Sequence, residues 1–331
     1  ALPISLNYIA DMGDLEFSAT VYENDFARNW FKVDKIDNKK VYGIDNGINN
    51  IIDAANSGEA NALAILHGIN SQEIEIKLKN NNRSYVSKGI DVKVQYHTDK
   101  QTLILGYRAT EDKEDRFQIY EYANWLNGYF SSLKRGSPPG YSSNNRITSA
   151  EAAAFYINEE IYLGALSLSF GYRAEKWEVS QVRFVDAART AVKTNSGYPK
   201  KLADSDNSLI GLGATYDIKD TTSLFFGFHQ GFTPTSGGAD PEQANNIEVG
   251  VRHVKDSTFV EFLYFKTDYQ NMFGSCTTSG GAVEDCEIGD SFNAGGASIN
   301  GIEFTLQSKV NSESGIDYPM SITYTSTKAT F

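Results

Sequence analysis

Cysteine and histidine are scarce in this chain: two of the first and four of the second in 331 residues. No histidine or second cysteine pair stands at zinc-ligand spacing, so a zinc site has nothing to build on. No run of about 18 uncharged apolar residues exists, which excludes a helical membrane span and leaves open a β-barrel, whose spans read only as weak alternation. No basic block tracks a phosphate backbone. With 30 Lys and Arg against 42 Asp and Glu, a net charge of -12, nucleic acid is excluded as a partner. Nor does the N-terminus show a basic region and cleavage site; Ala1 to Asp11 already reads as a strand, so either a precursor was trimmed or the chain starts inside a larger protein.

What is present is apolar and aromatic: 40% hydrophobic and 12% aromatic residues, with 19 Tyr and 19 Phe. That excludes a disordered chain. The apolar residues recur with period two. In ALSLSFGYRAEKWEV, Leu166, Leu168, Phe170, Tyr172 and Ala174 fall on one side of an extended chain, and Ser167, Ser169, Gly171, Arg173 and Glu175 on the other. LEFSATVYEN from Leu15, GIDVKVQYH from Gly89 and GIEFTLQSK from Gly301 repeat the pattern, which means strands. A helical pattern is nearly confined to Ile48–Leu66, within a long polar connection.

Short and long connections take turns. The short ones are near Met12–Asp14, Thr98–Gln101, Leu163–Ala165, Asp217–Thr221 and Val254–Ser257. The long ones are near Asp34–Asn82, Ala123–Arg146, Asp186–Asn207, Thr233–Asn245 and Gly274–Phe292. Antiparallel neighbours reverse at every turn, so strict alternation gathers the long loops at one end. About twelve strands, several well over the usual soluble length, predict an all-β antiparallel transmembrane barrel with short periplasmic turns and long extracellular loops. A soluble sandwich carries the opposite arrangement, apolar inside and charged outside on short strands.

Several segments resemble the C-terminal half of the barrel of TonB-dependent outer-membrane receptors, the importers of ferric siderophores and vitamin B12. They are SYVSKGIDV (Ser84–Val92), LSFGYRAE (Leu168–Glu175), HQGFTP (His229–Pro234), DPEQANNIEVGVRH (Asp240–His253), STFVEFLYFKTDYQNMF (Ser257–Phe273) and FNAGGASINGIEFTL (Phe292–Leu306). Their order and spacing over some 250 residues carry the resemblance, and the cysteine pair with YQNMF leans toward the ferric-citrate-receptor-like branch. The resemblance implies that residues 1–331 are a segment of a 22-strand barrel without plug domain or terminal strands. It also implies a ferric siderophore or ferric citrate as cargo, a TonB complex acting through the missing plug, outer-membrane lipid and lipopolysaccharide as surroundings, and no resident cofactor, since iron arrives within the chelate.

On that expectation an anionic, oxygen-rich chelate needs Arg, Lys, Gln and aromatic partners in a shielded cup. The loop Asn124–Arg146 offers Lys134, Arg135 and Arg146 beside Trp125, Tyr129 and Tyr141; the competing reading makes these an aromatic girdle and contacts to lipopolysaccharide phosphates. His229 is expected to point into the lumen near the outer end, with Gln230 facing outward or into the loop base. Arg173 and Glu175 read as structural lumen charges that pair with neighbouring strands or with the plug, and Arg252 and Glu248 read the same way. Cys276 and Cys286 read as one loop disulfide in an exported protein, or as two unpaired thiols. The acid-rich EDKED (Glu111–Asp115) and VEDCEIGD (Val283–Asp290) lack the order of a calcium loop, and the Gly-rich stretches lack the ending of a phosphate loop, so no metal or phosphate site is expected. Three alternatives stay open: a complete small barrel acting as a channel, an outer-membrane phospholipase or protease on such a barrel, and a soluble sandwich or propeller binding carbohydrate.

Overall fold

The computed structural model describes residues 2–36, 47–69, 73–135, 145–194, 197–234, 240–275, 291–311 and 317–331. Its strands are β1 (Leu2–Asp11), β2 (Leu15–Ile36), β3 (Ile74–Thr98), β4 (Gln101–Leu126), β5 (Tyr129–Arg135), β6 (Asn145–Leu163), β7 (Leu166–Arg183), β8 (Lys200–Lys219), β9 (Thr222–Thr233), β10 (Glu242–Lys255), β11 (Thr258–Gln270), β12 (Phe273–Ser275), β13 (Ser291–Asn293), β14 (Ala297–Asn311) and β15 (Asp317–Thr330). Twelve of them form one path in chain order from β1 to β15, with β5 folded back on β4 and β12–β13 a separate small ribbon. Every pairing is antiparallel, as tight turns demand.

The alternation dictates which residues share a face. Register brings Phe155 opposite Ala174 and Ile157 opposite Tyr172. It then brings Tyr172 opposite Ile210 and Phe170 opposite Leu212, and so continues the apolar file across neighbouring strands. These side chains stay half-exposed, Phe170 at 43% and Leu212 at 46%, with no second sheet covering them among the described residues. A sandwich would have buried them, so the apolar face is left for lipid.

On the polar face, glycines accommodate aromatic rings from the adjacent strand. Gly106 lies beneath Tyr156, Gly250 beneath Phe225 and Gly301 beneath Phe265. A Cβ at Gly301 would stand 2.3 Å from the Ser326 carbonyl oxygen and 2.7 Å from Phe265 Cζ. Backbone cannot step aside as a flexible side chain can. Gly301→Ala is therefore expected to cost about 1–3 kcal/mol of stability, read as a lowered urea midpoint in lipid vesicles; an unchanged midpoint would mean the ring and carbonyl are not held there.

Two expectations need correction. Residues Ile74–Asn82, read from sequence as loop, are the outer part of β3, and EDKED lies inside β4. Ile74, Ile76 and Leu78 alternate with Glu75, Lys77 and Lys79 and are buried beside Val33, Ala123 and Trp125; the alternating run is short and gives way to the polar Asn80–Ser84, so the segment reads from sequence as part of the long connection. The helical stretch is two short helices, α1 (Ile48–Asn56) and α2 (Ala60–Leu66), separated at Gly58, whose φ of 88° ends the first helix in a left-handed turn. Together with Ile36 and Ile74 they build a small apolar core from Ile51, Ala55, Ala62 and Ile65, against which Trp125 packs.

Candidate functional site

The strand registers assemble a feature that no single segment shows. Arg28 of β2 is paired with Arg83 of β3, Arg83 with Arg116 of β4, Arg116 with Arg146 of β6, and Arg146 with Arg183 of β7. Directly opposed residues of an antiparallel pair share a face. The five arginines thus form one row across five strands on the polar face.

Their height follows from counting. Arg83 precedes Thr98, the last residue of its strand, by 98 − 83 = 15 positions, and Arg116 follows Gln101 by 116 − 101 = 15. An apolar band about 25 Å tall takes roughly ten residues of tilted strand. The row therefore lies past the band, at the end where the long connections gather.

Each head group has a fixed support. Arg28 Nη2 donates to Tyr85 Oη at 3.0 Å, and its guanidinium lies 5.4 Å from the rings of Trp30 and Tyr85. Arg83 Nη1 donates to Glu114 Oε2 at 2.9 Å and to Tyr85 Oη at 3.3 Å. Arg116 donates to Asn81 Oδ1 at 2.9 Å and to Gln118 Oε1 at 3.0 Å, and Gln118 in turn bonds Tyr120. Arg146 lies 3.8 Å from Glu114 Oε1, and its buried Nε has no hydrogen-bond partner. Arg183 Nε donates to Gln181 Oε1 at 2.7 Å, its plane 4.7 Å from the Tyr198 ring.

Among the described residues Glu114 is the sole carboxylate within ion-pair distance of the row. Five cations with one anion, on a chain whose net charge is -12, make a strong local reversal of sign. Like charges held on adjacent strands repel one another, and that repulsion is relieved when an anion lies across them. Guanidinium forks suit carboxylate and phosphate oxygens in bidentate contacts. Deeper on the polar face two arginines are matched: Arg173 Nε donates to Glu175 at 2.7 Å and Arg252 Nε to Glu261 at 2.7 Å. Arg252 thus pairs with a neighbouring strand, as expected, whereas the partner of Arg173 lies on its own strand, β7.

Arg189 is spent elsewhere. It donates to both Asp115 oxygens at 2.7 and 2.5 Å and to Asn145 Oδ1 at 2.9 Å, and so clasps the β7–β8 connection onto the other face of β4. Asp186 in the same connection accepts from the Thr190 amide and hydroxyl, and these bonds hold its carboxyl below the usual carboxylate range.

Of the binding residues expected from sequence, only Arg146 belongs to the row. Lys134 and Arg135 lie in β5, in register with Tyr122 and Glu121. Trp125 is on the opposite face, packed into the α1–α2 core with its ring 6.0 Å from Phe130. Tyr129 sits 78% exposed at the β4–β5 tip. His229 takes the polar face of β9, paired with Gly211 and Asn246, two strands beyond β7. Gln230 faces the other way, accepting from the Ile210 amide and donating to Asn245. Tyr141, Cys276 and Cys286 lie outside the described residues. Arg28, Arg83, Arg116 and Arg183 were missed, because each stands alone in its segment and only strand pairing aligns them.

A family model described as TonB dependent receptor-like, beta-barrel, matches residues 5–331. Among solved structures, the unliganded ferric citrate transporter FecA superposes with a TM-score of 0.63 at 15% identity over 99% of this chain and 42% of its own. The siderophore receptor PiuA from Acinetobacter baumannii gives 0.65 at 13% over 98% and 46%, and the copper transporter OprC 0.59 at 11% over 98% and 45%. The chain spans less than half the length of these structures, and at such identity they share its fold. The family match over nearly every residue, on an antiparallel sheet with its apolar file turned outward and its long connections at one end, shows that this chain belongs to the TonB-dependent receptor-like β-barrel family of the outer membrane.

Proposed function

We propose that this barrel wall serves a TonB-dependent receptor that takes up an anionic ferric chelate, a siderophore complex or ferric citrate, and that the arginine row on the lumen wall captures it. The single observation that carries this reading is the row: five guanidinium groups in register, with one carboxylate among them, facing the lumen at the outer end. A cation set of this kind suits the carboxylate, catecholate or hydroxamate oxygens around a ferric ion, which is part of the cargo.

The action is binding and release. No bond is made or broken, and the residues needed are those that orient and hold charge. Supports such as Tyr85, Asn81, Gln118 and Gln181 fix the guanidinium planes before the anion arrives, so less side-chain freedom is lost on binding. In the plug-and-TonB scheme that the family resemblance implies, the bound chelate sits above the plug, and its passage follows plug movement driven from the periplasm. Relatives of one fold carry different cargo, as the copper transporter beside the ferric citrate transporter illustrates, so wall residues such as these set the choice.

Cells relying on this receptor under iron limitation provide the test. Uptake of radiolabelled iron as ferric citrate and as anionic siderophore complexes is expected to fall at least roughly tenfold when Arg116 and Arg146 are both replaced by Gln, since each charge-assisted contact is worth about 1.5–3 kcal/mol. Unaltered uptake of every anionic chelate that the wild type carries would overturn the reading.

A further inference from the structure

The row is not uniform, and Glu114 is the reason. This carboxylate lies between Arg83 and Arg146, at 2.9 Å from the first and 3.8 Å from the second, and all three side chains are largely buried, at 21%, 17% and 23% exposure. Arg28, Arg116 and Arg183 have no carboxylate within ion-pair distance among the described residues; their partners are neutral oxygens and aromatic rings. Along the row the order is free, matched, free, matched, free. Neighbouring strands are about 4.8 Å apart, so the backbone positions that carry the unmatched arginines recur at about two strand spacings, roughly 10 Å.

We infer that Glu114 is a specificity-determining residue which turns the arginine row into a spaced rack, and that the rack selects an extended anion carrying two carboxylates or phosphates about two strand spacings apart over a compact anion of equal charge. The inference rests on the binding role given to the row and adds what that role leaves open, the spacing of charge on the cargo. A compact dianion reaching for adjacent arginines always meets one already bound to Glu114 and must compete with that carboxylate. An extended dianion reaches two free cations without touching Glu114. The free head groups are also the ones pinned by neutral partners, so their separation is preset and not adjusted to each arrival.

Rigid dicarboxylates measure that spacing directly on the purified receptor in detergent. Biphenyl-4,4′-dicarboxylate places its carboxylates at about two strand spacings and terephthalate at little more than one. To remove the contribution of the rings, each is compared with its own monoacid, biphenyl-4-carboxylate and benzoate. The second carboxylate is expected to tighten binding roughly tenfold on the biphenyl rod, the equivalent of one charge-assisted contact, and less than about twofold on the single ring. Glu114→Gln is expected to raise the gain on terephthalate to about that on the biphenyl rod, while Glu114→Asp keeps the wild-type contrast; a residue that merely held the strands together would weaken both rods alike. Equal gains on the two scaffolds in the wild type, or no gain on the biphenyl rod, overturn the spacing. The uptake reading fails separately: length discrimination by the rods, with iron uptake indifferent to the row, removes the cargo and leaves the rack.

Discussion

Arg116→Glu is expected to lower anionic-chelate uptake at least about 100-fold, with the barrel still assembled. Arg116 is the middle of the row and is held by Asn81 and Gln118 with no carboxylate of its own. Replacing it by Glu removes one charge-assisted contact, worth about 1.5–3 kcal/mol, and adds an anion beside Glu114, whose repulsion acts on any anionic cargo in a site shielded from bulk water. The position lies past the apolar band, so a carboxylate there meets no lipid and the fold tolerates it. Uptake assays paired with the heat-modified mobility of the assembled barrel separate the two effects. A variant that assembles and still transports at the wild-type rate would show that cargo passes without touching the row.

Leu105→Arg is expected to have the opposite character, costing about 2–4 kcal/mol of stability without touching the binding site. Leu105 belongs to the apolar file, is 37% exposed and pairs with Val94 and Ile157. It stands four residues above the start of β4 at Gln101, close to the middle of a band roughly ten residues tall. A guanidinium there has hydrocarbon for a neighbour and only a long path to either interface. Urea titration of the variant in lipid vesicles measures the cost. An unchanged midpoint would mean that Leu105 faces water, and the membrane assignment of the whole file would go with it. Gly301→Ala probes the other face of the same wall by overfilling a contact on the lumen side, so the two substitutions test both surfaces of one sheet.

Much of this is legible in the sequence. The side-chain period of a strand is two, and burial in lipid on one side with a polar lumen on the other writes that period into the chain, as in Leu166 to Glu175. Turn chemistry at places such as Asp99–Lys100 and Asp256–Ser257 fixed the reversals, and the alternation of short and long connections put the loops at one end. His229 followed the same rule onto the polar face. Past the lipid the pattern shortens: Ile74, Ile76 and Leu78 alternate with charged residues and are buried beside Val33, Ala123 and Trp125, but the polar run Asn80–Ser84 that follows hides them within a long connection. Trp125 was drawn to the site by its proximity in sequence to Lys134 and Arg146, but parity along β4 sends it to the other face, into the core of α1 and α2.

Fold class, the facing of strands such as β7 and β9 and the membrane in which the barrel sits are readable from the chain alone, because all three depend on a local pattern repeated along it. The arginine row is not readable there, since it exists only once the strands pair. Arg28, Arg83, Arg116, Arg146 and Arg183 are separated by 55, 33, 30 and 37 positions (83 − 28, 116 − 83, 146 − 116, 183 − 146), and nothing local links them. Their alignment depends on the register of four strand pairings, where a slip of one residue would send an arginine to the opposite face of the sheet. The matching of Glu114 to two of the five is decided by the same registers, through contacts between β3, β4 and β6 that no single strand contains.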